Sequence, residues 1–186
     1  MELWPTLQLG WLNGWILLAV FYGVFALLLW IFPRDVVARL YDRSGWSPQE
    51  RRLVAMRLPF ALITFALLIL TPLKVGTPLF ALGIALFALG LLGFVVAMVN
   101  FRDTPPDQPA ALGLYRHSRN PQVVSLIVAS LGMCLAIGSW AAFLTQVSTM
   151  AFGHARILAE EGTCLRQYGE SYRAYMRRVP RYFLFI

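Results

Sequence analysis

The chain has 186 residues, of which 59% are hydrophobic and 13% charged, with a mean hydropathy of +0.64 and a formal net charge of +7. That balance is too apolar and too poor in charge for a soluble domain, so it excludes an ordinary soluble enzyme and indicates an integral membrane protein. The length accommodates about five spans of roughly 20 residues with short loops, and no separate soluble domain.

Five apolar segments follow in order: Leu12 to Phe32, Leu53 to Thr71, Pro78 to Phe101, Val123 to Ile137, and Trp140 to about His154. Pro33, Pro72, Pro78 and Pro121 punctuate their ends, as suits a residue without a backbone donor, and Pro59 early in the second predicts a kink. The first is expected to remain as a span, because no basic stretch precedes it and its apolar run is too long for a cleavable signal. In the third, Gly83, Gly90 and Gly93, with Ala81, Ala85 and Ala88, predict faces where another helix approaches closely. The fourth and fifth are short and separated only by Gly138-Ser139, which predicts a helical hairpin turning near one membrane face. Trp4, Trp11, Trp15, Trp30 and Trp140 fall near span ends, where an amphipathic indole is favoured.

Charge orients this array. Of sixteen Lys and Arg, six lie between the first two spans or at the start of the second, three between the third and fourth, and six from Arg156 onward. Only Lys74 falls on the other side, which predicts an external N-terminus and a cytoplasmic C-terminus. Basic residues so placed serve topology and contact with anionic lipid, and with no reading module present the sequence argues against nucleic acid as a partner. Cys134 within a span and Cys164 on the cytoplasmic side predict two free thiols.

No GxGxxG, P-loop or zinc-spaced Cys/His cluster is present, so no metal is expected and a nucleotide-like cofactor needs another arrangement. Two basic segments are the candidates. The first follows the irregular linker Thr104-Pro105-Pro106-Asp107-Gln108-Pro109: Tyr115, Arg116, His117, Arg119 and Asn120 precede Pro121 at the start of the fourth span, where free amides and the helix dipole favour an anion. A headgroup-facing loop is the alternative. In the second, Arg156 and Glu160 share a helical face while Glu161 projects about 100° away. That pair is either a surface ion pair or a cation and an anion positioned to orient a zwitterion. Tyr168, Tyr172 and Tyr175 then form an aromatic stripe before Val179-Pro180-Arg181, a pattern that also serves simple packing.

Together the two segments resemble the integral-membrane methyltransferase superfamily of isoprenylcysteine carboxyl methyltransferases and phospholipid N-methyltransferases. The resemblance covers about the last 70 residues: Gly-x-Tyr-Arg, Arg-x-Pro, a short hairpin, Arg-x-x-x-Glu-Glu, Tyr-Gly-x-x-Tyr-x-x-Tyr and Val-Pro-Arg. Many members have His before the proline and an aromatic two residues after it, where this chain has Asn120 and Val123. The resemblance implies S-adenosylmethionine as cofactor, bound on the cytoplasmic side, and a lipophilic acceptor arriving through the membrane. Carried over, Tyr115, His117, Arg119, Asn120, Pro121, Glu160, Glu161, Tyr168 and Tyr172 become cofactor-pocket candidates, and Arg156 and Glu160 catalytic candidates.

The expected fold is therefore all-α: one domain over residues 1–186, with three spans in 1–101 and the cofactor-binding and catalytic region, hairpin included, in 102–186. The expected activity is methyl transfer, first as carboxyl O-methylation of an isoprenylcysteine. Methylation of a phospholipid or other amine, or of a thiol, is the alternative. The competing class is a non-enzymatic scaffold that binds lipid headgroups. The sequence does not specify an oligomeric state.

Overall fold

The computed structural model describes residues 1–183, which form helices with no strand among them. A first apolar helix, α1 (Trp15–Ile31), is followed by the short α2 (Arg34–Tyr41) and α3 (Pro48–Ala55). Next come α4 (Leu58–Leu70), the long α5 (Pro78–Arg102), a single 3₁₀ turn (Gly113–Arg116) and α6 (Pro121–Ala136). The last elements are α7 (Trp140–Tyr168) and α8 (Glu170–Arg178). Two helical stretches, Pro48–Leu70 and Pro78–Arg102, are long and apolar enough to cross a bilayer, while Trp15–Ile31 and Pro121–Ala136 are shorter apolar helices.

The first helix starts at Trp15, three residues later than the apolar run predicts. Asn13 is the reason: it is 1% exposed, and its amide donates to the carbonyls of Gln8 (2.6 Å) and Ile69 (2.9 Å). The polar side chain thereby stitches the irregular N-terminal segment to the end of α4. The kink expected near Pro59 is a break at Met56–Arg57, with Pro59 in the first turn of α4, where a missing N–H leaves no bond unmade.

Packing follows the small residues. A Cβ at Gly83 would meet the Ala136 backbone nitrogen at 2.6 Å, and one at Gly90 would clash with the backbone of Ala129, so α5 and α6 lie in close backbone contact. These two helices form the most extensive contact of the bundle, followed by α4 on α7. Polar side chains fasten the rest: Thr64 Oγ1 donates to Thr145 Oγ1 (2.9 Å) between α4 and α7, and Gln146 Nε2 to Ser130 Oγ (2.9 Å) between α7 and α6.

The tight turn at Gly138-Ser139 joins α6 to α7, with Ser139 Oγ capping the Ala142 amide. Glu2 and Lys74 gather at this end, through Glu2 N to Gly138 O, Lys74 N to Ala136 O, and a 2.8 Å ion pair with each other. From there α7 runs unbroken for 29 residues, about 44 Å. The predicted hairpin arm and the Arg156–Glu161 segment are therefore one rod, longer than a ~30 Å hydrocarbon core. Its far end meets α3 and α8, and there the polar groups collect.

Candidate active site

The 3₁₀ turn begins at Gly113, whose φ of +54° and close approach to the Asn100 side chain leave no room for a Cβ. Asn100 Oδ1 in turn accepts from the Leu114 amide (2.9 Å), so Gly-x-Tyr-Arg is pinned to the end of α5 and Tyr115 is turned inward. Gly169, also at φ +54°, reverses the chain after α7 so that α8 folds back. Tyr172 and Tyr175 are thereby buried with Val179, and Tyr175 Oη donates to the Tyr115 carbonyl at 2.7 Å. Tyr168 Oη donates to Pro106 O (3.2 Å), which holds the linker against α7.

A salt-bridged clasp closes this region. Glu161 is 4% exposed and accepts from Arg181 Nε (3.1 and 3.2 Å) and a terminal Arg181 nitrogen (2.9 Å). Asn120 Nδ2 donates to the same carboxylate (3.4 Å) and to the Arg181 carbonyl (3.3 Å). Ser118 Oγ also donates to Arg181 O (3.1 Å), and Arg119 N to Pro180 O (2.9 Å). The Val-Pro-Arg tail is thus laced across residues 118–120. Arg119 Nε lies 3.4 Å from Glu161 Oε1, close enough for charge attraction but without hydrogen-bond geometry.

Within this frame lies a polar cavity of about 230 Å³. Arg39, Arg119 and Arg156 line it together with Asp42, Glu160 and Glu161, and with Tyr115, Tyr168 and Tyr172. Arg39, Arg119 and Gln122, which line it, each carry a buried nitrogen (Nε, Nε and Nε2) with no hydrogen-bond partner among the described residues. Buried donors left unpaired are costly, so this wall carries unspent hydrogen-bonding capacity. Burial, then the neighbouring Glu160 and Glu161 charges, push the Cys164 thiol up to about 11. The Tyr115 and Tyr172 phenols are likewise raised by burial first, so all three stay protonated at neutral pH.

A second cavity of about 520 Å³ lies among α1, α4, α6 and α7. Phe21, Phe25, Leu62, Phe65, Leu126 and Met133 give it an apolar wall. The two cavities share Leu40, Gln122, Val123 and Arg156. Arg156 Nε donates to Glu160 Oε1 at 2.7 Å, so the pair stands at the junction.

Of the residues singled out from sequence, Tyr115, Arg119, Asn120, Arg156, Glu160, Glu161, Tyr168 and Tyr172 line the polar cavity. His117 is exposed and Pro121 is buried in the first turn of α6; neither borders either cavity. Sequence reasoning passed over Arg39, Asp42, Trp46, Thr104 and Gln108, which reach the cavity from α2, the following loop and the linker. Trp46 carried one signal: it is 6% exposed and lies in a basic loop, away from the span ends where the other tryptophans fall.

The fold and the two adjoining cavities define a helical protein with a charge-lined chamber beside an apolar one. Residues 73–171 match the phospholipid methyltransferase family, which covers α5 to α7 and both cavity walls that meet at Arg156. The chain belongs to the phospholipid methyltransferase family, and with its long apolar helices it is a membrane protein. No curated protein and no solved structure matches it.

Proposed function

We propose that this chain is an S-adenosylmethionine-dependent enzyme that methylates a lipophilic acceptor, with the cofactor in the polar cavity and the acceptor in the apolar one. The observation that carries the reading is the shared wall: Arg156 and Gln122 border a charged chamber on one side and an apolar chamber on the other. Methyl transfer is chiefly a matter of placing donor and acceptor in line and keeping water away.

The donor set suits the cofactor. Arg39, Arg119 and Gln122 have unspent donors for a carboxylate, ribose or adenine, while Asp42 and Glu160 supply acceptors for an ammonium. When bound, S-adenosylmethionine supplies an electrophilic methyl group on a sulfonium. Glu161 has a different part, since its oxygens are taken by Arg181 and Asn120: it holds the tail over the chamber. Glu160, whose side chain is 36% exposed and among the described residues bonded only to Arg156, is left with Asp42 to face a ligand.

Residues 1–101 build three spans and most of the acceptor chamber, and 102–186 a two-span hairpin and the cofactor chamber. In this five-span arrangement the Lys74–Glu2 end lies outside and the Arg156 end at the cytoplasm, where the cofactor is dissolved. Between acceptors, family membership favours a phospholipid amine, with Glu160 placed to take the proton an ammonium must lose. Arg156 beside the apolar chamber equally suits a prenylcysteine carboxylate, which needs a cation and no base. Calorimetry with S-adenosylmethionine in detergent tests the reading: saturable binding is expected, weakened at least tenfold in Glu160→Gln by loss of a charge-assisted contact of about 1.5–3 kcal/mol. Absence of binding by the wild type would leave the headgroup-binding scaffold as the account.

A further inference from the structure

The apolar chamber has an uncompensated charge at its head. Arg43 and Arg57 line it together with Arg156. Arg156 is matched by Glu160, but among the described residues neither Arg43 nor Arg57 makes an ion pair. Arg43 is exposed and rests 5.4 Å over the Trp46 ring, and half-buried Arg57 feels the like charges of Arg156 and Arg43 ahead of the attraction of Glu160. A half-buried cation such as Arg57 against an apolar wall is costly unless something neutralises it, and exposed Arg43 adds a second unpaired charge beside it.

Local structure holds Arg57 in this place. It is the N-cap residue of α4, at the break that interrupts the second apolar stretch, with Pro59 immediately inside the new helix. Such breaks are tolerated at membrane depth where the backbone borders a cavity. The chamber below is lined by Phe21, Phe25, Leu62 and Phe65, so an occupant has an apolar body and meets the arginines with its head.

We propose that Arg57, with Arg43, is an anion seat that holds the negatively charged group, a phosphate or carboxylate, of the lipophilic acceptor and so determines which acceptors are used. The inference rests on the assignment of this chamber to the acceptor. For an amine acceptor Arg57 then fixes the neighbouring anion while the Arg156–Glu160 pair faces the amine, and for a carboxylate acceptor the seat holds the group to be methylated itself. An amine acceptor is taken only with an anion beside it, because a lone ammonium would be repelled by three arginines.

The test is calorimetry on the full chain in a non-ionic detergent with three probes of equal chain length: dodecyl phosphate, dodecanoate and dodecanol. Wild type is expected to bind both anions about ten- to a hundredfold more tightly than the alcohol, the range of a charge-assisted contact. Arg57→Gln is expected to bring all three to within about threefold, and Arg57→Lys to restore part of the preference. S-adenosylmethionine affinity, measured on the same samples, is expected to be unchanged and shows that the variants are folded. Equal binding of anions and alcohol by wild type, or a preference that survives Arg57→Gln, overturns the anion seat. Failure of the wild type to bind S-adenosylmethionine overturns the methyl-transfer reading instead, and the phosphate-to-alcohol ratio still decides whether the seat exists.

Discussion

Arg156→Lys separates positioning from binding. The native Nε donates to Glu160 Oε1 at 2.7 Å, and the side chains are 29% and 36% exposed. A half-open pair one helical turn apart is worth about 0.3–0.5 kcal/mol, so melting in detergent should fall by only about 1–2 °C. S-adenosylmethionine affinity should change by no more than about threefold, since lysine keeps the positive charge beside the chamber. Turnover is a different matter. Lysine has no planar fork, so it cannot bond Glu160 and orient a group in the neighbouring chamber with the same geometry. A displacement of about 1 Å at a reacting centre costs on the order of a hundredfold, which is the expected loss in kcat. Paired calorimetry and transfer of labelled methyl to prenylcysteine-like and phospholipid acceptors measures both quantities, and a carboxylate acceptor should suffer most. Parallel loss of binding and turnover would place Arg156 in the cofactor site or the fold, and wild-type turnover would remove it from the mechanism.

Arg181→Ala strips the paired bonds from a Glu161 side chain that is only 5% exposed, leaving Asn120 and Arg119, each at 3.4 Å. Because Arg181 is itself partly solvated, the cost should be about 2–3 kcal/mol, below that of a fully buried pair, and a thermal midpoint within 1 °C of wild type would refute the clasp. With its pKa pushed up to about 11, Cys164 becomes thiolate only as pH rises toward that value. In a variant lacking Cys134, alkylation by iodoacetamide should therefore quicken about tenfold per unit between pH 8 and 10, and a flat rate there contradicts the burial argument. Bound S-adenosylmethionine should slow the same reaction, since Cys164 lines the polar cavity. For topology, single cysteines placed between Pro33 and Arg52 and after Arg156 should be shielded from an impermeant reagent in intact cells; labelling of both from outside would reverse the orientation.

Hydropathy and proline placement made the apolar helices legible, and glycine spacing identified the face on which α5 meets α6 through Gly83 and Gly90. The continuity of α7 was hidden because its apolar signal fades near His154. The residues beyond it, Arg156, Leu158, Glu160 and Glu161, are good helix formers with no proline among them, so the rod continues after the hydrophobicity stops. Motif order brought Tyr115, Arg119, Asn120, Glu160 and Tyr172 to one chamber, but could not show that Glu161 is occupied by Arg181, since that pairing depends on the tail folding back. Arg39, Asp42 and Thr104 have no local signature, because only tertiary packing carries α2 and the linker to the chamber. Arg57 has one: a charge inside an apolar stretch marks a candidate site.

The most direct test of the account is methyl transfer by the purified full chain. Methyl-labelled S-adenosylmethionine is supplied with vesicles of phosphatidylethanolamine or micelles of a prenylcysteine, and label is counted in the lipid phase. The adjoining cavities predict saturable transfer to at least one of these acceptors, dependent on protein and lowered at least tenfold by Glu160→Gln at limiting cofactor. Saturable cofactor binding with no label in any lipophilic acceptor would contradict the assignment of the apolar chamber, and absence of both binding and transfer would contradict the account as a whole.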